Sequence, residues 1–143
     1  MVSRWTLNLK LNKMKKYNIQ KSEEEWKREL SPEQYRVLRE KGTEAPNSGK
    51  YNLHFDEGEY KCAACGEKLF ESDSKFESGC GWPSFDNAIE GKVEYVQDKT
   101  FGMIRTEILC SNCGSHLGHV FDDGPTDTGQ RYCVNSASIE FNK

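Results

Sequence analysis

The stretch 108–121, ILCSNCGSHLGHVF, holds a Cys-x-x-Cys pair (Cys110, Cys113), a glycine directly after it (Gly114) and two histidines beyond. Cysteines spaced this way on a tight turn can both point at one tetrahedral ion, and the glycine relieves the backbone where the turn closes. A twin lies upstream in EYKCAACG, 59–66, with Cys62, Cys65 and Gly66. Two such turns complete a four-thiolate shell with no position left for water, which makes the site structural. The 44 residues between the pairs exceed the spacing of a compact zinc ribbon. A metal there is expected to clip distant strands together, where loop closure gains most. Redox Cys-x-x-Cys motifs or a pair of disulfides are the competing readings.

Outward from these turns the chain reads as β structure. YNLHF, EYKCAAC, KVEYVQD, FGMIRTEILC, HVFDDG and RYCVNSASIEF are short aromatic and β-branched runs between glycine and turn residues. That spacing predicts an antiparallel domain. Helical signals precede it. Ser22 with Glu25, then Ser31-Pro32-Glu33-Gln34, are N-terminal capping patterns,. Trp26 and Leu30, then Tyr35 and Leu38, form apolar stripes, and Lys41-Gly42 is expected to cap the end,. Two short helices divided near Ser31 follow.

Composition narrows the function classes. The chain has 143 residues, 35% apolar and 30% charged, enough for one lightly packed domain that a metal would help to hold. It contains no apolar run of about 18 residues, so no membrane helix is expected. The 20 basic and 23 acidic residues give −3; residues 1–16 hold five of the basic ones and no acid, and without them 15 against 23 gives −8. An acidic body argues against a nucleic-acid partner. Residues 1–20 are read as a flexible N-terminal extension and 21–143 as the domain. Within the extension, Met14 is the expected start of the functional chain, with a transit-like leader as the alternative.

Two cysteines remain. Cys133 stands in RYCVNSAS between Arg131 and Asn135, which share its face on a strand,. A neighbouring cation lowers a thiol pKa, which suits a nucleophile; a buried structural cysteine is the alternative. Cys80, in SGCGWPSF, has glycines on both sides, suiting a thiol that must swing toward a partner. Trp82 could present a flat apolar wall or sit in the core. His116 and His119 look like further metal ligands, but the four cysteines fill a shell without them. They are then open to acid–base work or to a place in the core. His54 reads as a core histidine.

With SGCGWPSF (78–85), CSNCGSHLGHVFDDGP (110–125) and RYCVNSAS (131–138) in this order, the chain resembles the B-type methionine-R-sulfoxide reductases over residues 23–141. The resemblance implies a mainly β fold, two antiparallel sheets in a barrel-like or tent-shaped domain with short N-terminal helices. It implies that Cys133 attacks the sulfoxide sulfur and becomes a sulfenic acid, and that Cys80 resolves it to a disulfide. Thioredoxin or a similar dithiol would then reduce that disulfide. Trp82 is implied to line a pocket for the ε-methyl group, and His116, His119 and Asn135 to position substrate and proton. Phe121 and Arg131 are implied pocket or supporting members. Cys62, Cys65, Cys110 and Cys113 match the branch holding one structural Zn²⁺. The expected substrates are oxidised proteins and peptides, and the expected setting is a cytoplasmic monomer engaged in repair. Asn47 departs from the family pattern, in which an aromatic follows Pro46. A non-catalytic zinc-binding interaction module and a redox sensor are the alternatives.

Overall fold

A computed structural model describes residues 17–99 and 104–143. Residues 1–16, where the leader and the start at Met14 were expected, lie outside them, as do 100–103, including the first three residues of FGMIRTEILC.

Two helices open the described chain, α1 (Glu23–Glu29) and α2 (Pro32–Leu38). Both carry the capping boxes read from sequence: Ser22 and Ser31 accept from the N–H of Glu25 and Gln34, whose side chains reach back. Such a cap is worth about 1 kcal/mol. The C-terminal expectation fails by three residues. Helix α2 ends at Leu38 with Arg39 as its cap, and Lys41 (φ 58°), not Gly42, adopts the left-handed conformation. Gly42 is small for another reason: a Cβ there would lie 2.9 Å from the Arg36 carbonyl oxygen.

Among the described residues nine strands follow: β1 (Glu59–Cys62), β2 (Lys68–Glu71), β3 (Lys75–Phe76), β4 (Ser84–Phe85), β5 (Val93–Asp98), β6 (Arg105–Cys110), β7 (His116–Phe121), β8 (Arg131–Val134) and β9 (Ile139–Asn142). Their pairings are antiparallel throughout the described residues. They form a three-stranded sheet, β2-β1-β9, and a six-stranded sheet, β3-β4-β8-β7-β6-β5. The sheets are open, so among the described residues the barrel-like outline does not close. YNLHF forms turns rather than a strand, and RYCVNSASIEF divides into β8 and β9 on different sheets. The short helical turn Ser136–Ser138 makes that corner.

Between the sheets lies the core. Phe70 stacks on Phe85 at 4.3 Å, and Tyr60 meets Phe85 edge-on at 5.1 Å. Ile108, Val120, Tyr132 and Val134 complete it from the larger sheet. Each such side chain contributes about 1.5–3 kcal/mol by burial. Because side chains alternate, burying Tyr132 and Val134 turns Arg131 and Cys133 to the outer face,. Helix α2 and the segment 43–51 cover part of that face.

The chain just before α1 is fastened to the body. Ile19 N–H donates to Asn112 O at 3.0 Å, and Tyr17 Oη donates to Glu94 Oε2 at 3.1 Å. Residues 17–19, read as part of a flexible extension, therefore dock on the second Cys-x-x-Cys turn.

Candidate active site and metal centre

The four turn cysteines meet at one point. Their sulfurs all lie within 4.8 Å of one another, with Cys62–Cys113 and Cys65–Cys110 at 3.6 Å. In a tetrahedral ZnS₄ unit with bonds near 2.3 Å, the S···S edge is about 3.8 Å, so the donor set fits such an ion. Gly66 and Gly114 take positive φ, 82° and 77°, and donate to the Cys62 and Cys110 carbonyls at 2.8 and 2.7 Å. Glycine after each pair is thus a conformational requirement. Cys62 ends β1 on the small sheet and Cys110 ends β6 on the large one, so the cluster staples the two sheets at one end. Hydrogen bonds within the cluster share its protons unevenly: Cys65 is held far below the usual thiol range and Cys113 down to about 7, while Cys62 and Cys110 are pushed up. An ion bound there would take all four as thiolates and release the remaining protons.

The second site is a cavity of about 260 Å³ on the outer face of the large sheet. Cys80, Trp82, His119, Phe121, Arg131, Cys133 and Asn135 line it, with Thr43, Arg105 and Gly118. Sheet register explains the convergence. Ser84 on β4 pairs with Cys133 on β8, Cys133 with His119 on β7, and His119 with Glu107 on β6. One row of neighbouring residues thus crosses four strands on one face. Gly118 lets β7 and β8 approach closely, since a Cβ there would overlap the Cys133 carbonyl oxygen.

Cys80 Sγ lies 3.0 Å from Cys133 Sγ, so the expected swing of the Cys80 loop is not needed for the sulfurs to meet. Gly79 and Gly81 instead supply positive φ on either side of it, 76° and 94°. The pair shares a proton, and the outcome differs from the expectation of an acidified Cys133. The hydrogen bond from Cys133, then those with Ser78 and Ser84, lower the Cys80 thiol to about 4. The same contact with Cys80, and then burial, push Cys133 well up. Arg131 does pull Cys133 down, with Nη1 at 3.6 Å from Sγ, but it is outweighed. Asp123 holds Arg131 at 2.8 and 3.1 Å, and the guanidinium sits 4.6 Å over the Phe121 ring.

His119 donates from Nε2 to Asp98 Oδ2 at 2.9 Å; a carboxylate only accepts, so Nδ1 is left as the basic nitrogen. Burial lowers its pKa against the opposing bond to Asp98, which keeps the ring neutral at neutral pH. His116 departs from its expected place, because it does not line the cavity. It is 4% exposed and bonds Glu107 through Nδ1 at 2.6 Å. Burial opposes ionisation of Glu107, yet His116 and Lys41 hold its carboxyl below the usual range. The cause is a bulge. Between Ile108↔Gly118 and Leu109↔His116 the register shifts by one residue, which brings His116 and His119 to one side, rings 5.7 Å apart,. His116 thus backs His119 rather than facing a ligand.

Asn135 lines the cavity, but its amide is engaged: Oδ1 accepts from Glu44 N–H at 3.1 Å and Nδ2 donates to Leu117 O at 3.1 Å. Trp82 donates from Nε1 to Glu44 O at 3.0 Å, leaving its face to the cavity. His54, read as a core histidine, bonds the Tyr60 hydroxyl at 3.0 Å and packs on Phe141. Asn47 takes φ 65°, a conformation asparagine tolerates,. Asp98, Arg105, Thr43, Ser84 and Glu107 were not singled out from sequence. The acid in RTEILC was the available signal: an ionisable residue amid strand-forming apolar ones needs a buried partner.

Fold and site define a dithiol domain stapled by a four-sulfur cluster. The SelR domain matches residues 30–143, and the chain belongs to that family. A peptide methionine sulfoxide reductase MsrB of Leptospira interrogans is 59% identical over 128 residues, 89% of this chain and 98% of the relative. Those of Methanosarcina mazei and Bradyrhizobium diazoefficiens are 57% and 61% identical, covering 91% and 84% of this chain and 94% and 87% of their own lengths. No helix among the described residues is long and apolar enough to cross a membrane.

Proposed function

We propose that this domain reduces methionine-R-sulfoxide in peptides and proteins to methionine. The observation that carries the reading is the 3.0 Å approach of Cys80 and Cys133 beside an aromatic wall and a neutral imidazole. Cys133 passes its proton to the Cys80 thiolate 3.0 Å away and attacks the sulfoxide sulfur as a thiolate,. The oxygen takes a proton and moves to Cys133 as its bond to the substrate sulfur and the transient S–S bond break, releasing methionine and leaving a Cys133 sulfenic acid. Cys80 sulfur displaces the hydroxyl, which departs as water once protonated, and a disulfide results. Two electrons from a thioredoxin-like dithiol restore both thiols.

Each residue has a stated part. Trp82 receives the methyl group against its face, with Phe121 beside it. His119, its Nδ1 basic, positions the sulfoxide oxygen through water or a shared proton. His116, held by Glu107, backs His119 through its ring, Asn135 shapes the wall, and Arg131 holds negative charge beside Cys133 as the sulfur pair works. Zn²⁺ is the ion for Cys62, Cys65, Cys110 and Cys113, supplying cohesion and no chemistry. The catalytic unit is residues 21–143, acting as a cytoplasmic monomer.

Steady-state turnover of the separated sulfoxide epimers, with dithiothreitol as reductant, tests the reading. The R epimer is expected to yield methionine and the S epimer none. An interaction module would turn over neither, and a sensor would form the disulfide without methionine release.

A further inference from the structure

Glu44 is buried, 4% exposed, in a segment laid across the Cys80 loop and the corner between β8 and β9. The two peptide groups around its Cα hold two cavity residues: the N–H donates to Asn135 Oδ1 at 3.1 Å, and the carbonyl accepts from Trp82 Nε1 at 3.0 Å. Its own Oε1 accepts from Ala137 N–H at 3.0 Å. The segment is fastened further along, by Asn47 N–H to Gly81 O at 2.7 Å and by Tyr51 N–H to Ser136 Oγ at 3.2 Å. Pro46 packs so tightly on Gly81 that a Cβ there would come within 2.7 Å of it.

We infer that Glu44 is a positioning residue, whose carboxylate pins the backbone that sets the Trp82 indole and the Asn135 amide in the cavity wall. The indole has a single donor, so the bond to the Glu44 carbonyl fixes the ring's rotation. The side chain is a poor choice for stability alone. Its Oε2 is buried and has no partner among the described residues, which costs free energy. What the side chain contributes is the geometry of a wall built from two distant loops. A wall that must fit a methyl group loses discrimination when it rotates.

The inference rests on the proposed reduction for its kinetic part only. Glu44→Ala is expected to speed hydrogen exchange of the Trp82 indole N–H by about tenfold or more, read by nitrogen-edited NMR. It should lower kcat/KM for the R epimer by about tenfold through KM, while the iodoacetamide reactivity of the thiol pair stays within about twofold. Glu44→Gln keeps an oxygen for Ala137 and should recover most of the loss. In the Trp82→Phe background, which lacks the donor and leaves only the Asn135 contact, Glu44→Ala should cost clearly less than it does in the wild type. If alanine does not fold, Glu44→Asp, too short to reach Ala137, is read the same way. Unchanged indole exchange in a folded variant would overturn the inference, as would an equal kinetic loss on the Trp82→Phe background. A wild type that reduces neither epimer would defeat the proposed function instead, while the exchange result still decides the positioning.

Discussion

The two groups of cysteines differ in where the fold puts them. The four sulfurs sit at the ends of β1 and β6, in turns shaped by glycines with positive φ, and join two sheets. The two sit on and beside a single sheet, facing a cavity, 3.0 Å apart. Both groups hold their thiol protons unevenly, but for different ends. In the cluster, four sulfurs within 4.8 Å of one another form a shell for a cation. In the pair, two sulfurs 3.0 Å apart share a hydrogen bond, so Cys80 can take the proton that Cys133 must lose to attack. The same side chain thus serves cohesion or chemistry according to its neighbours: other thiols in a closed shell, or an aromatic wall and an imidazole at an open mouth.

That contrast can be broken most severely at the cluster. Cys62→Ser is expected to abolish the cooperative thermal transition, because structural zinc is worth about 10–16 kcal/mol in peptide models against about 5–15 for a whole domain. A folded, metal-free Cys62→Ser protein would contradict the assignment. At the pair the loss should fall on activity alone. Cys133→Ser should keep the wild-type melting profile while methionine formation drops by roughly 10⁴-fold or more. Cys80→Ser should still release methionine in a single turnover but lose thioredoxin-coupled cycling; undiminished cycling would mean that another route reduces the sulfenic acid.

The smallest expected effect is electrostatic. Cys80, held near 4 by Cys133 and two serines, should be a thiolate at neutral pH. A folded value below the usual thiol value near 8.5 means that its contribution to stability is full above that pH and is lost as pH falls toward 4. The thiolate absorbance difference between wild type and Cys80→Ser should therefore rise near pH 4. A rise only near 8.5 would show that the sulfurs do not share a proton.

Much of this was legible in the chain. Local signals survived intact: the capping boxes at Ser22 and Ser31, the glycines after each Cys-x-x-Cys, and the four-plus-two division of the cysteines. Long-range register was not legible. Nothing in HLGHVF says that a bulge turns His116 inward to Glu107, since a bulge is defined by its partner strand. Nor does RYCVNSASIEF say that Asn135 begins a corner between sheets. The acidity of Cys133, argued from Arg131 alone, missed the nearer and stronger influence of Cys80, 53 positions away in sequence. Asp98, Arg105 and Glu44 gave no local sign because their partners arrive from other strands and loops.

The division of labour is tested most directly by one equivalent of R-configured methionine sulfoxide, added without reductant, followed by disulfide mapping and metal analysis. The account predicts one methionine released per chain, a single disulfide joining Cys80 to Cys133, and four cluster cysteines still holding their ion. A disulfide drawn from Cys62, Cys65, Cys110 or Cys113, with loss of the metal, would contradict it.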